Sequence, residues 1–167
     1  MKTDIAPAPA SGGMGVPARL QLPRHALPHR TPRELLALAR SGLAEAATAV
    51  APGQRYATAH LAALRAAAAV LATRARPAPP TPRRRRSRPT SVWVLLAQVA
   101  PELAEWATFF ATAAVKRAAA EAGIPRVVTE REGDDLLRDA ERFCQLVETT
   151  LGLPHQPPLD LAVPRAG

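Results

Sequence analysis

The chain has 167 residues, room for one domain with tails rather than two domains. It is 47% hydrophobic, much of that alanine, and only 4% aromatic, so its core must rest on leucine, valine and a few rings between closely spaced helices. A formal charge of +8 invites a nucleic-acid or acidic-surface partner; the single cysteine, Cys144, excludes an internal disulfide and a thiolate metal cage.

Residues 1–30 are rich in Pro, Gly and Ala without periodicity and read as a disordered tail in which His25 and His29 are solvated. Lys2 is followed by no continuous apolar run, so a secretory signal is not expected. No segment approaches 18 uninterrupted apolar residues, and the expectation is a cytoplasmic protein with no membrane partner.

The first helix opens at "TPRE": Thr31 can cap, Pro32 suits the first helical position, and Glu34 closes a capping box. Leu35, Leu36, Ala39, Gly42, Leu43 and Ala46 then recur at helical spacing toward Val50, and Pro52 and Gly53 break the pattern. A second helix is predicted from Gln54 to Thr73, with many alanines and a thin polar face. Residues 74–89, "RARPAPPTPRRRRSRP", cannot be helical; their prolines favour extended backbone and their arginines repel one another. Seven arginines sit in this stretch, and without them the net charge is about +1, so the positive field belongs to a loop rather than to the folded body.

A third helix starts near Thr90 or Ser91 with the apolar run "VWVLLAQVA". Pro101 either kinks it or starts a new helix that Gly123 stops. Trp106, Phe109 and Phe110 supply most of the aromatic bulk, as core or dimer contacts. The last helix opens with a second capping box, "TERE", and aligns Leu136, Ala140, Phe143, Cys144, Val147 and Leu151 on one face until Gly152 and Pro154 end it. Nothing alternates with period two, so no sheet is predicted. The fold class is all-α, an antiparallel four- or five-helix bundle over residues 31–152, with 153–167 a second disordered tail.

"RYATAH", residues 55–60, carries an arginine and a histidine at a spacing used by metal-independent RNA-cutting sites. At about 100° per residue, Arg55 and His60 lie roughly 140° apart on a helix, whereas Tyr56, Leu64, Ala67 and Leu71 all fall within about 40° of His60. His60 therefore sits in the middle of the apolar face and reads as a buried structural histidine; a catalytic base paired with Arg55 across a dimer is the alternative. Arg83, Arg84, Arg85, Arg86 and Arg88 form a polycation able to neutralise phosphates without reading sequence, and the competing reading is a solvated insertion. Trp93, the nearest ring to them, is expected to be buried rather than to stack bases. Glu102, Glu105, Asp134 and Asp135 make no metal-spaced cluster with histidine, Cys144 reads as a small hydrophobe, and no glycine-rich phosphate loop is present; no metal or cofactor is expected.

"RELLALARSGLAEA" followed by "RYATAHLAALRAAAAVL" resembles the first two helices of HEPN (higher eukaryotes and prokaryotes nucleotide-binding) domains. "VWVLLAQVAPELAEWATFF" and "DDLLRDAERFCQLVE" are similar to the third and last helices, and the likeness is greatest to a small actinobacterial SAV-type branch. The resemblance implies a homodimer, a role related to RNA or nucleotides, and association with nucleotidyltransferase-type partners. Active HEPN ribonucleases carry the Arg/His motif near the last helix, where the histidine serves as base and the arginine stabilises phosphate charge. Here the last helix has Arg131, Arg138 and Arg142 but no histidine, and the matching spacing falls in the second helix. The expected function is thus a non-catalytic binding or interaction module. Its alternatives are an endoribonuclease using Arg55 and His60, or a helical adaptor whose basic loop docks an acidic protein.

Overall fold

The computed structural model of the chain describes residues 21–22, 27–77 and 90–153. The elements in order are β1 (Gln21–Leu22), α1 (Pro32–Thr48), α2 (Pro52–Arg74), β2 (Arg76–Pro77), α3 (Val92–Val99), a single 3-10 turn (Pro101–Leu103), α4 (Ala104–Glu121) and α5 (Glu130–Leu151). The all-α bundle expected from the sequence is present.

α1 starts as its sequence dictates. Thr31 Oγ1 accepts from the Glu34 amide at 3.3 Å, and the Glu34 carboxylate takes the Thr31 amide at 2.8 Å. The helix ends at Thr48, and Pro52 and Gly53, expected to interrupt the pattern, are instead the first residues of α2. Proline tolerates that position because the first amides of a helix have no intrahelical partner to lose.

α2 is the axis of the bundle: α1, α3, α4 and α5 all pack on it. That is why its alanines are many. Ala59, Ala62, Ala63, Ala66, Ala67 and Ala69 are all fully buried on different sides of one helix, and only small side chains let several helices approach at once. Close approach is most acute at two glycines. A Cβ on Gly42 of α1 would lie 3.3 Å from the Ala62 Cβ, and one on Gly133 of α5 would lie 3.2 Å from the Pro52 carbonyl oxygen.

Ser91 Oγ caps α3 by accepting from the Trp93 amide. Pro101 then begins a new element, the 3-10 turn that leads into α4, rather than kinking α3. α5 opens on a second capping box, Thr129 with Glu132, and ends at Gly152 in the left-handed region, φ 63°. The face read from its spacing is the buried one: Leu136, Ala140, Phe143, Cys144 and Val147.

Among the described residues, the one departure from an all-helical expectation is a two-residue parallel pairing of β1 with β2, Gln21 opposite Arg76 and Leu22 opposite Pro77. Leu22, assigned by composition to a tail, is 5% exposed and packs with Leu71 and Leu95. Two residues cannot establish a period, so no pattern announced them. The rest of residues 1–26, residues 154–167 and Arg83, Arg84, Arg85, Arg86 and Arg88 lie outside the described residues.

Candidate functional site

The two members of the "RYATAH" motif leave α2 in different directions. His60 is 1% exposed. Its Nε2–H donates to the Phe110 carbonyl of α4 at 2.8 Å, and its ring meets Trp93 and Phe110 edge-on, with centroids 5.5 and 5.9 Å away. Trp93 and Trp106 stack against Phe110, and Phe143 of α5 closes the cluster. Burial holds the imidazole below its ordinary pKa; the Phe110 carbonyl pulls it up, Arg117 pushes it down and Glu121 pulls it up. A neutral, enclosed imidazole has no route to a ribose hydroxyl in this arrangement.

Arg55 faces the opposite way, at the junction of α1, α2 and α5. Its Nη1 donates to Asp134 at 2.6 Å and to Glu130 at 3.1 Å, and Nη2 donates to the Ala49 carbonyl at 2.8 Å. Two carboxylates and a carbonyl occupy the fork, which ties the α1–α2 corner to the first turn of α5. Arg55 and His60 are not brought to a common surface.

The same accounting holds for most cations of the bundle. Arg40 pairs with the buried Glu148, Arg74 with Glu102, Lys116 with Glu132, Arg138 with Asp135, and Arg142 with Asp139. Arg74, the first arginine of the basic stretch, is thereby held against the bundle.

The surface feature that periodicity did not disclose is a groove of about 470 Å³ between α4 and α5. Both helices pack on α2, but their backbones hardly approach one another. Phe109, Leu136 and the Tyr56 ring line the bottom, and Glu132, Asp135 and Asp139 line the α5 side. Phe109 is 40% exposed, an unusual cost for a large ring. The outward face of α4 next to it, Thr108, Ala111, Thr112 and Val115, carries no charge. Glu132 does two things at once: one oxygen accepts from the Thr129 amide and the other meets Lys116. Hydrogen bonds from Lys116 and then from Thr129 hold its carboxyl down at about 2. The signal available in the sequence was the ten-residue run Trp106–Val115 without a charged residue.

Among the described residues no group of three His, Cys, Asp or Glu side chains is placed to hold a metal ion. Among them, too, no helix is long and apolar enough to cross a membrane. Cys144 is buried, and its thiol is pushed up to about 12 by desolvation first and by Glu148.

Neither a curated protein nor a solved structure matches the chain. A family profile does: the SAV_6107-like HEPN profile matches residues 46–148, from the last turn of α1 into the last turn of α5. That span holds the whole of α2, α3 and α4 around the aromatic cluster, and with more than half of its length matched, the chain belongs to the SAV_6107-like HEPN family.

Proposed function

We propose that this HEPN protein is a non-catalytic, cytoplasmic binding module that works as a homodimer and contacts RNA or nucleotide phosphates through Arg83, Arg84, Arg85, Arg86 and Arg88. The observation that carries the reading is the ion pairing of the bundle: Arg40, Arg55, Arg74, Lys116, Arg138 and Arg142 each already face a carboxylate. Paired charges of this kind leave little net field, which supports the arginine-dense run at 83–88 as the phosphate contact. The enclosed His60 and the occupied Arg55 fork weigh against RNA cleavage by that pair.

The test is fluorescence anisotropy with mixed single-stranded RNA over a salt series, wild type beside a variant with all five arginines changed to glutamine. Five phosphate contacts give a log K against log salt slope of at most about −3.5 for a single strand. The glutamine variant loses both affinity and slope. RNA binding that survives the glutamine changes would put the contact on another surface and overturn this assignment, and no RNA binding by either form would favour the adaptor reading. Incubation of the same RNA without divalent metal, wild type beside His60→Ala, checks the catalytic alternative: cleavage lost in His60→Ala would overturn the non-catalytic reading.

A further inference from the structure

The outward face of α4 has an apolar middle and one charge at each end. With Thr112 at zero on a helical wheel, Glu105, Thr108, Phe109, Val115 and Lys116 all fall within about 60° of it. They form a single strip along the helix. Its two large apolar side chains reach solvent, Phe109 at 40% and Val115 at 76% exposed. Thr108 and Thr112 need no partner from outside: their hydroxyls donate to the Ala104 and Thr108 carbonyls at 3.0 Å, one turn back in the same helix. The middle of the strip therefore offers methyl groups and a ring, the make-up of a contact core.

Glu105, in the first turn of α4, is exposed and belongs to no ion pair among the described residues. Lys116 lies about 16 Å further along the helix, partly exposed, with one of its three N–H donors on Glu132. No residue between the two carries a charge. A strip with an anion at one end and a cation at the other is complementary to itself when turned end for end. A two-fold axis makes that turn, because residue i of one copy then meets residue j of the other and j meets i.

We propose that two copies of this chain pair through α4, antiparallel, with the two-fold axis level with the Phe110–Ala111 peptide. Glu105 of each copy then faces Lys116 of the other, and charge complementarity selects this register. A parallel pairing would set glutamate against glutamate. The same register brings Phe109 level with the partner's Thr112, at the mouth of the partner's groove, where Leu136 and the Tyr56 ring form the floor. The ring that each bundle leaves exposed is thereby covered by the other, and the uncharged threonine and valine methyls pack between. The proposal rests on the homodimer reading and assigns the surface that makes the dimer.

The experiment is sedimentation velocity on the full chain across a concentration series, with circular dichroism to verify each fold. Wild type is compared with Glu105→Lys, with Lys116→Glu, with an equimolar mixture of those two, and with Thr112→Arg. Wild type dimerises. Each charge reversal sets two like-charged pairs across the axis, so each variant alone dimerises at least about tenfold more weakly. In the mixture both facing pairs become opposite in sign, and a heterodimer returns. Thr112→Arg places a charge in the middle of the strip on an exposed turn of helix, keeps the bundle folded and abolishes the dimer. Together with Glu105→Lys it keeps the test decisive should Lys116→Glu, which also loses the Glu132 pair, fail to fold. A monomeric wild type overturns both this surface and the homodimer reading. A dimer that tolerates Thr112→Arg and Glu105→Lys, or folded reversals whose mixture fails to recover, overturns this surface and leaves the homodimer reading standing.

Discussion

His60 Nε2 and the Phe110 carbonyl oxygen lie 2.8 Å apart in the middle of the bundle, the imidazole of α2 donating to the backbone of α4. The bond crosses an interface otherwise made of rings and methyl groups, with Trp93 and Phe110 enclosing the imidazole. A polar donor at such a place must be paired or it costs stability, and here its pairing also fixes which ring nitrogen carries the proton.

Replacing His60 by alanine removes the bond and leaves a cavity among Trp93, Phe110 and α2. The expected cost is about 2–4 kcal/mol, in the range of large-to-small core substitutions. Urea unfolding followed by tryptophan fluorescence reads it directly. RNA affinity of the folded fraction stays unchanged, which separates a structural residue from a functional one.

The same imidazole sets a pH dependence. Its folded pKa is depressed below the ordinary 6.5, so the unfolded chain takes up a proton that the folded chain refuses. The stability from keeping His60 neutral is complete above 6.5 and is lost progressively as pH falls below it toward the folded value. Below 6.5 the midpoint of thermal unfolding drops, by at most about 1.4 kcal/mol of stability per pH unit. His60→Gln, which keeps an amide donor but cannot titrate, flattens that slope. Glu132, held at about 2 against an ordinary 4.5, contributes stability that is complete above 4.5 and is lost as pH falls from there toward 2, where protonation releases Lys116 and weakens the α5 cap.

Gly133 is where α5 passes the start of α2. A Cβ there would lie 3.2 Å from the Pro52 carbonyl and 3.6 Å from Arg55 Cδ. Valine forces the two helix starts apart, which strains the Arg55 fork to Glu130 and Asp134 as well, and costs about 1–3 kcal/mol. Alanine is milder, because its helix propensity offsets part of the contact. Chemical denaturation of the two variants gives valine well below alanine; equal stabilities would show that the helices separate freely.

Cys144 is 3% exposed with its thiol pushed up to about 12. Thiol-reactive reagents at pH 8 label it only through opening of the α1–α5 side, so labelling of the native protein is slow and becomes fast in denaturant. Prompt labelling of the native chain would mean that the α1–α5 side opens readily.

Much of the bundle was legible in the sequence because it is written in local codes. "TPRE" and "TERE" name two helix starts, and the spacing from Leu136 to Val147 names the buried face of α5. The wheel placed His60 inside because its neighbours at i−4, i+4, i+7 and i+11 are apolar, and burial of 99% agrees. What stayed hidden depends on relations between distant segments. Nothing local tells that Arg55 meets Glu130 and Asp134, or that Leu22 finds Leu71 and Leu95. Nor does α4, alanine-rich on every side, tell which flank is covered by α2 and which borders the groove. Pro52 misled for a physical reason: the residue that breaks a helix interior is the one best suited to begin a helix.

The small β1–β2 pairing holds Arg76 and Pro77 in place, and the Ser91 cap holds the start of α3, with Leu71, Leu95 and Leu22 clustered between them. The twelve residues 78–89 are consequently a span anchored at both ends, unlike a free arm of the same composition. Both attachment points of that span are therefore set by one small apolar cluster, and replacing Leu22, Leu71 or Leu95 by alanine would loosen its two ends together.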